Sequence, residues 1–267
     1  MPARYPERIV CLTEESTETL YLLGEERRIV GISGYTVRPP RARREKPRVS
    51  AFLSAKTDKI LELNPDLVIG FSDLQADIAR DLAKAGLNVL IFNQRSVQQV
   101  LDMILALASL VGAADRGKEL TKRLEDGLAG IREKAKAFPR RPRVYFEEWD
   151  DPLIAGIRWV GELIGIAGGD NVFADLAEKP LGRERIVADP MEVVRRAPDL
   201  ILGSWCGKKF RPERVAARPG WQDVPAVRDG ELHEVKSAII LQPGPAALTD
   251  GLADIHARIR RWAERAR

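Results

Sequence analysis

The 267-residue chain carries 43 Lys and Arg against 39 Asp and Glu, a formal net charge of +4, with 45% hydrophobic and 6% aromatic residues. This is the composition of a globular chain that can bury a core; it excludes disordered and collagenous classes. Four surplus charges spread over this length are too few for a phosphate-tracking surface, so nucleic acid is not an expected partner.

Short β-branched runs alternate with helix-period segments throughout, which predicts an α/β fold with parallel-rich sheets. The first segment, Met1 to Arg8, lacks the apolar stretch of a secretory signal. The protein is therefore expected to stay in the cytoplasm, or to have lost its signal. A first strand is predicted over Arg8–Leu12, then a helix through Leu20 and Leu23 that stops at Gly24. Strands follow at Ile29–Ile32, Leu67–Phe71 and Asn88–Phe92. Between them, Arg38 to Arg48 is basic and proline-rich and reads as an exposed, extended loop. Thr57 is a candidate cap for a helix through Ile60 and Leu63. Ser96 with Gln99 predicts a capping box and a helix toward Val111, and a second helix reads from Asp115 to about Ala137, where Pro139 and Pro142 end it. The longest uncharged runs, such as Met103–Ala114, fall short of the roughly 20 apolar residues that span a bilayer, so no direct membrane insertion is expected.

The pattern then begins again with a strand at Arg143–Phe146. An internal echo links the halves: Asn64-Pro65-Asp66 precedes the apolar run Leu67–Gly70, and Ala197-Pro198-Asp199 precedes Leu200–Gly203. Asp189-Pro190-Met191-Glu192 supplies a cap, a proline and an acid to the helix before the second copy. Each opening strand also runs into an acidic pair, Glu14-Glu15 and Glu147-Glu148. Two related lobes facing each other are expected, residues 1–113 and 139–267, joined by a rigid helix over 114–138.

In open α/β sheets ligands bind beyond the carboxyl ends of the strands. That rule selects Glu14, Glu15, Ser16, Tyr35, Ser72 and Asp73 from the first half, and Glu147, Glu148, Trp149, Trp205 and Cys206 from the second. Paired carboxylates also fit a carboxylate-based hydrolase. No nucleotide loop, nucleophile elbow or histidine cluster accompanies them, so binding rather than catalysis is expected, with no metal site. Cys11 and Cys206 lack the neighbours of a zinc site and read as buried hydrophobes. His233 is expected to be structural, and His256 to face solvent. The terminal arginines Arg258, Arg260, Arg261, Arg265 and Arg267 close a helix whose dipole they complement.

Several stretches carry a family resemblance. These are Arg8–Leu12 leading to Ser16-Thr17-Glu18, Val30-Gly31-Ile32-Ser33 with Tyr35, Ile60 to Ile69, Gly168-Gly169-Asp170-Asn171, and Pro243-Gly244-Pro245. Their order resembles the substrate-binding proteins of ABC importers for vitamin B12 and ferric siderophores, over nearly the whole chain, and Ser33-Gly34-Tyr35 is most similar to the cobalamin-binding branch. The resemblance implies a monomer with no intrinsic cofactor, holding cobalamin or a related corrinoid between two lobes and delivering it to permease subunits. It implies an extracytoplasmic site of action. Another metal chelate, a siderophore or haem, is the alternative. It further implies Tyr35, Phe52, Trp149 and Trp205 as aromatic platforms, Gln242 as a ligand contact, and Asp58 and Glu192 as permease-docking acids. With Gln242 where siderophore binders often place an arginine, and with acids at the strand ends, an anionic ferric chelate is disfavoured.

Overall fold

The computed structural model describes residues 5–265. Met1–Arg4, half of the segment read for a signal, and Arg267 lie outside the described residues. The chain forms two compact units, one up to Gln94 together with Gln98–Leu124, the other Arg95–Val97 with Glu125–Arg267. Both are α/β, as the alternation of runs requires.

The first unit is built on five strands, β1 (Ile9–Cys11), β2 (Ile29–Ser33), β3 (Arg48–Ser50), β4 (Leu67–Phe71) and β5 (Val89–Phe92). They are parallel, in the order β3-β2-β1-β4-β5. β1 and β4 are buried along their whole length, which is why they read as unbroken apolar runs rather than alternations. Helices Glu14–Leu22, Thr57–Glu62 and Ala76–Lys84 make the crossovers. Gly24, at φ +69°, follows the first of them in the left-handed conformation a helix end favours.

The second unit centres on β6 (Arg143–Asp150). It pairs in parallel with β8 (Asp170–Asn171) and β9 (Leu200–Gly203), and antiparallel with β7 (Leu153–Ala155). β10 (Leu232–Glu234) adds in parallel to β9. Helices Arg158–Ala167 and Leu252–Arg265 pack on each other, and the first also packs on β6 and β8. One helix, Ala114–Ala135, runs unbroken through the point where the chain passes from one unit to the other. Among the described residues no helix is long and apolar enough to cross a membrane.

The echo is a repeated piece of construction. Asn64 (φ +44°) and Ala197 (φ +40°) both turn left-handed before their proline. The following aspartate then holds the opening strand of its own sheet: Asp66 accepts from the amides of Glu7 (2.7 Å) and Arg8 (3.0 Å), and Asp199 from Arg143 (2.8 Å).

Several expectations need correction. The basic segment is no free loop: Ala42–Glu45 is a helical turn and Arg48–Ser50 is an edge strand. Two of its arginines are engaged, Arg38 with Glu18 (2.9 Å) and Arg41 with Glu26 (2.9 Å) and the Tyr21 ring, while Arg43, Arg44 and Arg48 are exposed as expected. Thr57 does not cap its helix but begins it, after Lys56. Cys206 is exposed, because it follows β9 in a loop, whereas Cys11 inside β1 is buried as expected. His256 faces inward: its Nδ1 lies 3.1 Å from the Ala167 carbonyl oxygen and its ring stacks on Phe138. An arginine-rich helix still has one buried stripe, and His256 lies on it with Leu252, Ile255 and Ile259.

Candidate ligand-binding site

All first-unit residues selected from sequence follow the carboxyl ends of β1 to β4, but they divide into a buried base and an exposed rim. Glu14, Glu15 and Ser16 form the first turn of the helix after β1 and are buried. Glu14 Oε2 accepts from the Val37 amide (2.7 Å), and Glu15 Oε1 accepts from the Thr13 hydroxyl (2.6 Å). Burial outweighs these bonds and pushes both carboxyls up, Glu14 to about 8 and Glu15 to about 7. Ser72, also buried, takes φ +65° and its hydroxyl accepts from the Leu74 amide (3.3 Å).

The rim is apolar. Tyr35, after β2, is 61% exposed, Leu53, after β3, is 68% exposed, and Leu74, after β4, is 56% exposed. Phe52 is half-buried beside Leu53, and Asp73 is exposed beside Leu74. Leu53 and Leu74 were not singled out from sequence. Their signal was a leucine placed three residues past a strand end, in the loop, where nothing in the strand requires it.

In the second unit the acidic pair is consumed internally. Glu147 is fully buried and held by Arg218 through two bonds (2.6 and 2.8 Å) and by the Trp205 indole N–H (2.9 Å). Glu148 receives both Arg185 terminal nitrogens (3.1 and 2.9 Å), and burial still raises its carboxyl above the usual range. Neighbours on a strand point to opposite faces, which is why two adjacent acids have two separate arginines.

The expectation that Trp205 offers a stacking face is corrected. It is 2% exposed, set edge-on to Phe210, and lies in the second unit's core. Trp149 is half-buried against that core; its indole donates to the Asp151 carbonyl (2.8 Å), and Lys208 Nζ lies 4.0 Å from its ring centre. Lys208 also pairs with Asp150, where Arg214 approaches to 3.5 Å. This edge is thus polar and charge-compensated, and the expected acidic surface is replaced by neutralised carboxyls. Gln242 is half-buried before Pro243. Asp58 stands exposed in the first turn of its helix, while Glu192 is held by Arg195 (2.8 Å) and Arg196 (2.8 Å). Among the described residues no three His, Cys, Asp or Glu side chains are grouped to hold a metal ion.

Residues 9–238 match the family described as "Periplasmic binding protein". An uncharacterized ABC transporter substrate-binding lipoprotein of Bacillus subtilis, YvrC, is 25% identical over 259 residues, covering 94% of this chain and 79% of the relative. A cobalamin-binding protein of Halobacterium salinarum is 28% identical over 252 residues; the match covers 90% of this chain and spans 66% of that protein's length. Among solved structures, the periplasmic heme-binding protein RhuT from Roseiflexus sp. RS-1, in apo form, is similar with a TM-score of 0.80 and 27% identity over 96% of this chain and 99% of its own. Most of the sequence lies inside one family match: the chain belongs to the periplasmic binding protein family and is a substrate-binding protein of an ABC importer.

Proposed function

We propose that the transported ligand is cobalamin or a related corrinoid, bound at the carboxyl edges of the sheets and released to permease subunits outside the cytoplasm. The observation that carries this reading is the exposed apolar rim of Tyr35, Leu53 and Leu74, at the same strand ends as carboxyls that burial pushes up to about 8 and about 7. A flat, amide-fringed macrocycle suits such a surface: its apolar faces cover the rim, and its amides find a polar partner such as Asp73. A strongly anionic ligand gains little beside these acids. The similarity to a cobalamin-binding protein points the same way. In this reading residues 1–113 and 139–267 are the two lobes, 114–138 the connecting helix, and the protein acts as a monomer.

The test is thermal unfolding against increasing cyanocobalamin, haemin and a ferric siderophore. A ligand that binds only the folded state stabilises it by RT ln(1 + [L]/Kd), about 2.7 kcal/mol at a hundredfold excess over Kd. Cyanocobalamin is expected to raise Tm in this concentration-dependent way. A shift with the siderophore alone overturns the corrinoid reading.

A second reading rests on Tyr35. An exposed phenol on an apolar rim is a known kind of ligand to haem iron, and the heme-binding relative is similar over the whole chain. Haemin binding whose visible spectrum changes in Tyr35→Phe supports this alternative; a spectrum insensitive to the substitution removes it.

A further inference from the structure

Gln75 is buried completely, and both ends of its amide are used. Its Oε1 accepts from the Phe71 amide at the end of β4 (2.9 Å), and its Nε2 donates to the Phe52 carbonyl beyond β3 (2.9 Å). β3 and β4 are not neighbours. In the order β3-β2-β1-β4 three inter-strand steps separate them, about 14 Å at the usual spacing. The loop after β3 must therefore reach back over the ends of β2 and β1 to make this bond.

Both ends of the clamp are themselves fixed. The Ala51 amide donates to the Ser54 carbonyl (2.7 Å), making residues 51–54 a tight turn, and the Gln75 amide donates to the Ser72 carbonyl (3.2 Å). Gly70 leaves room for the amide: a Cβ there would lie 2.6 Å from Gln75 Oε1. The residues adjoining the two ends of the bond, Leu53 next to Phe52 and Leu74 next to Gln75, are the two exposed leucines of the rim.

We infer that Gln75 is a positioning residue that clamps the loops after β3 and β4 into one apolar platform and thereby sets ligand affinity. The inference deepens the proposed function and rests on it. Without the Nε2 donor the platform has to be ordered by the ligand, which lowers affinity even though no ligand contact is removed.

Three variants test this. Gln75→Leu is expected to weaken binding of cyanocobalamin about tenfold or more. Gln75→Glu separates positioning from simple packing. At pH 5 its buried carboxyl is protonated and donates to the Phe52 carbonyl, so affinity relative to wild type at the same pH is largely restored. At pH 8.5 the carboxylate faces that carbonyl and affinity falls below that of Gln75→Leu. Leu53→Ser, a surface change that does not threaten folding, must also weaken binding.

Wild-type affinity in Gln75→Leu while Leu53→Ser binds weakly overturns the clamp, and unchanged affinity in Leu53→Ser overturns the platform. If wild-type protein binds neither cyanocobalamin nor haemin, the functional reading fails and hydrogen exchange on the ligand-free protein judges the clamp. Faster exchange at Ala51, Phe71 and Gln75 in Gln75→Leu upholds it. Unchanged exchange overturns it.

Discussion

Glu14 and Glu147 show two outcomes of burying a carboxylate. Glu147 is met by Arg218 with two bonds. Glu14 has one backbone donor, faces Glu15 and Glu18 along its own helix, and has Arg38 as the cation acting on it from the neighbouring loop. Its carboxyl rises to about 8, above the ordinary unfolded value near 4.5. The folded state then binds more protons than the unfolded state between those values, so this group's contribution to stability falls as pH rises from about 4.5 to 8. Glu14→Gln keeps an acceptor for the Val37 amide and cannot ionise. It is expected to match wild type near pH 4 in urea unfolding and exceed it at pH 8.5. The opposite ordering at high pH would show that the carboxylate is the stabilised form. Removing the partner of Glu147 acts in the other direction: Arg218→Leu leaves a buried charge uncompensated and is expected to cost about 3–5 kcal/mol. The measurement is the shift in urea midpoint at constant slope, and a loss below 1 kcal/mol would mean that Glu147 finds water or a proton.

At the scale of the element, the repeated Pro-Asp turn separates backbone strain from side-chain bonding. The first copy places Asn64 at its left-handed position and the second places Ala197 at almost the same angle, φ +44° against +40°. Asparagine tolerates that region better than alanine does. Ala197→Asn should therefore stabilise the protein by up to about 1 kcal/mol. Asp66→Ala, which removes the acceptor of the two exposed amides just before β1, should cost about 0.5–1.5 kcal/mol. A gain of the same size from Asn64→Ala would refute the strain argument. This turn, the parallel strands and the helices between them were legible from sequence because each is governed by neighbours within about ten residues, whereas the cap expected at Thr57 was not formed. Less local features were not. β3 read as loop because an edge strand of three residues inside a basic, proline-rich stretch has no apolar run. Trp205 lies just past the end of β9 and Glu147 within β6, which runs further than its apolar residues suggest, and only the packing of Phe210 and Arg218, brought from elsewhere in the chain, makes them internal. His256 faces inward for the same reason, since the Ala167 carbonyl and the Phe138 ring that receive it lie on other elements. Gln75 went unnoticed because its meaning depends on the β3-β2-β1-β4 order, which no local pattern encodes.

At the scale of the whole molecule, many charged side chains of both units are held in local pairs, and this bears on how the protein meets its importer. The sequence resemblance implies an acidic contact from each half, Asp58 and Glu192. Both begin the helix that precedes the Pro-Asp turn, but their surroundings differ. Asp58 is exposed, whereas Glu192 lies in a chain of charges running from Asp175 through Arg196 to Glu192, Arg195 and Asp189. Two arginines hold the Glu192 carboxylate below the usual range. A permease cation approaching Glu192 must displace a cation already present, and an exposed pair is worth only about 0.2–1 kcal/mol in any case. Steering by charge should therefore fall mainly on Asp58. With ligand-loaded protein titrated onto permease in lipid nanodiscs, Asp58→Arg is expected to slow association severalfold and flatten its dependence on salt, leaving ligand affinity unchanged. Glu192→Gln should alter the association rate less than twofold. Equal losses from the two substitutions would mean that the Arg195 and Arg196 pairs open on docking, and that both halves present a free acid to the importer.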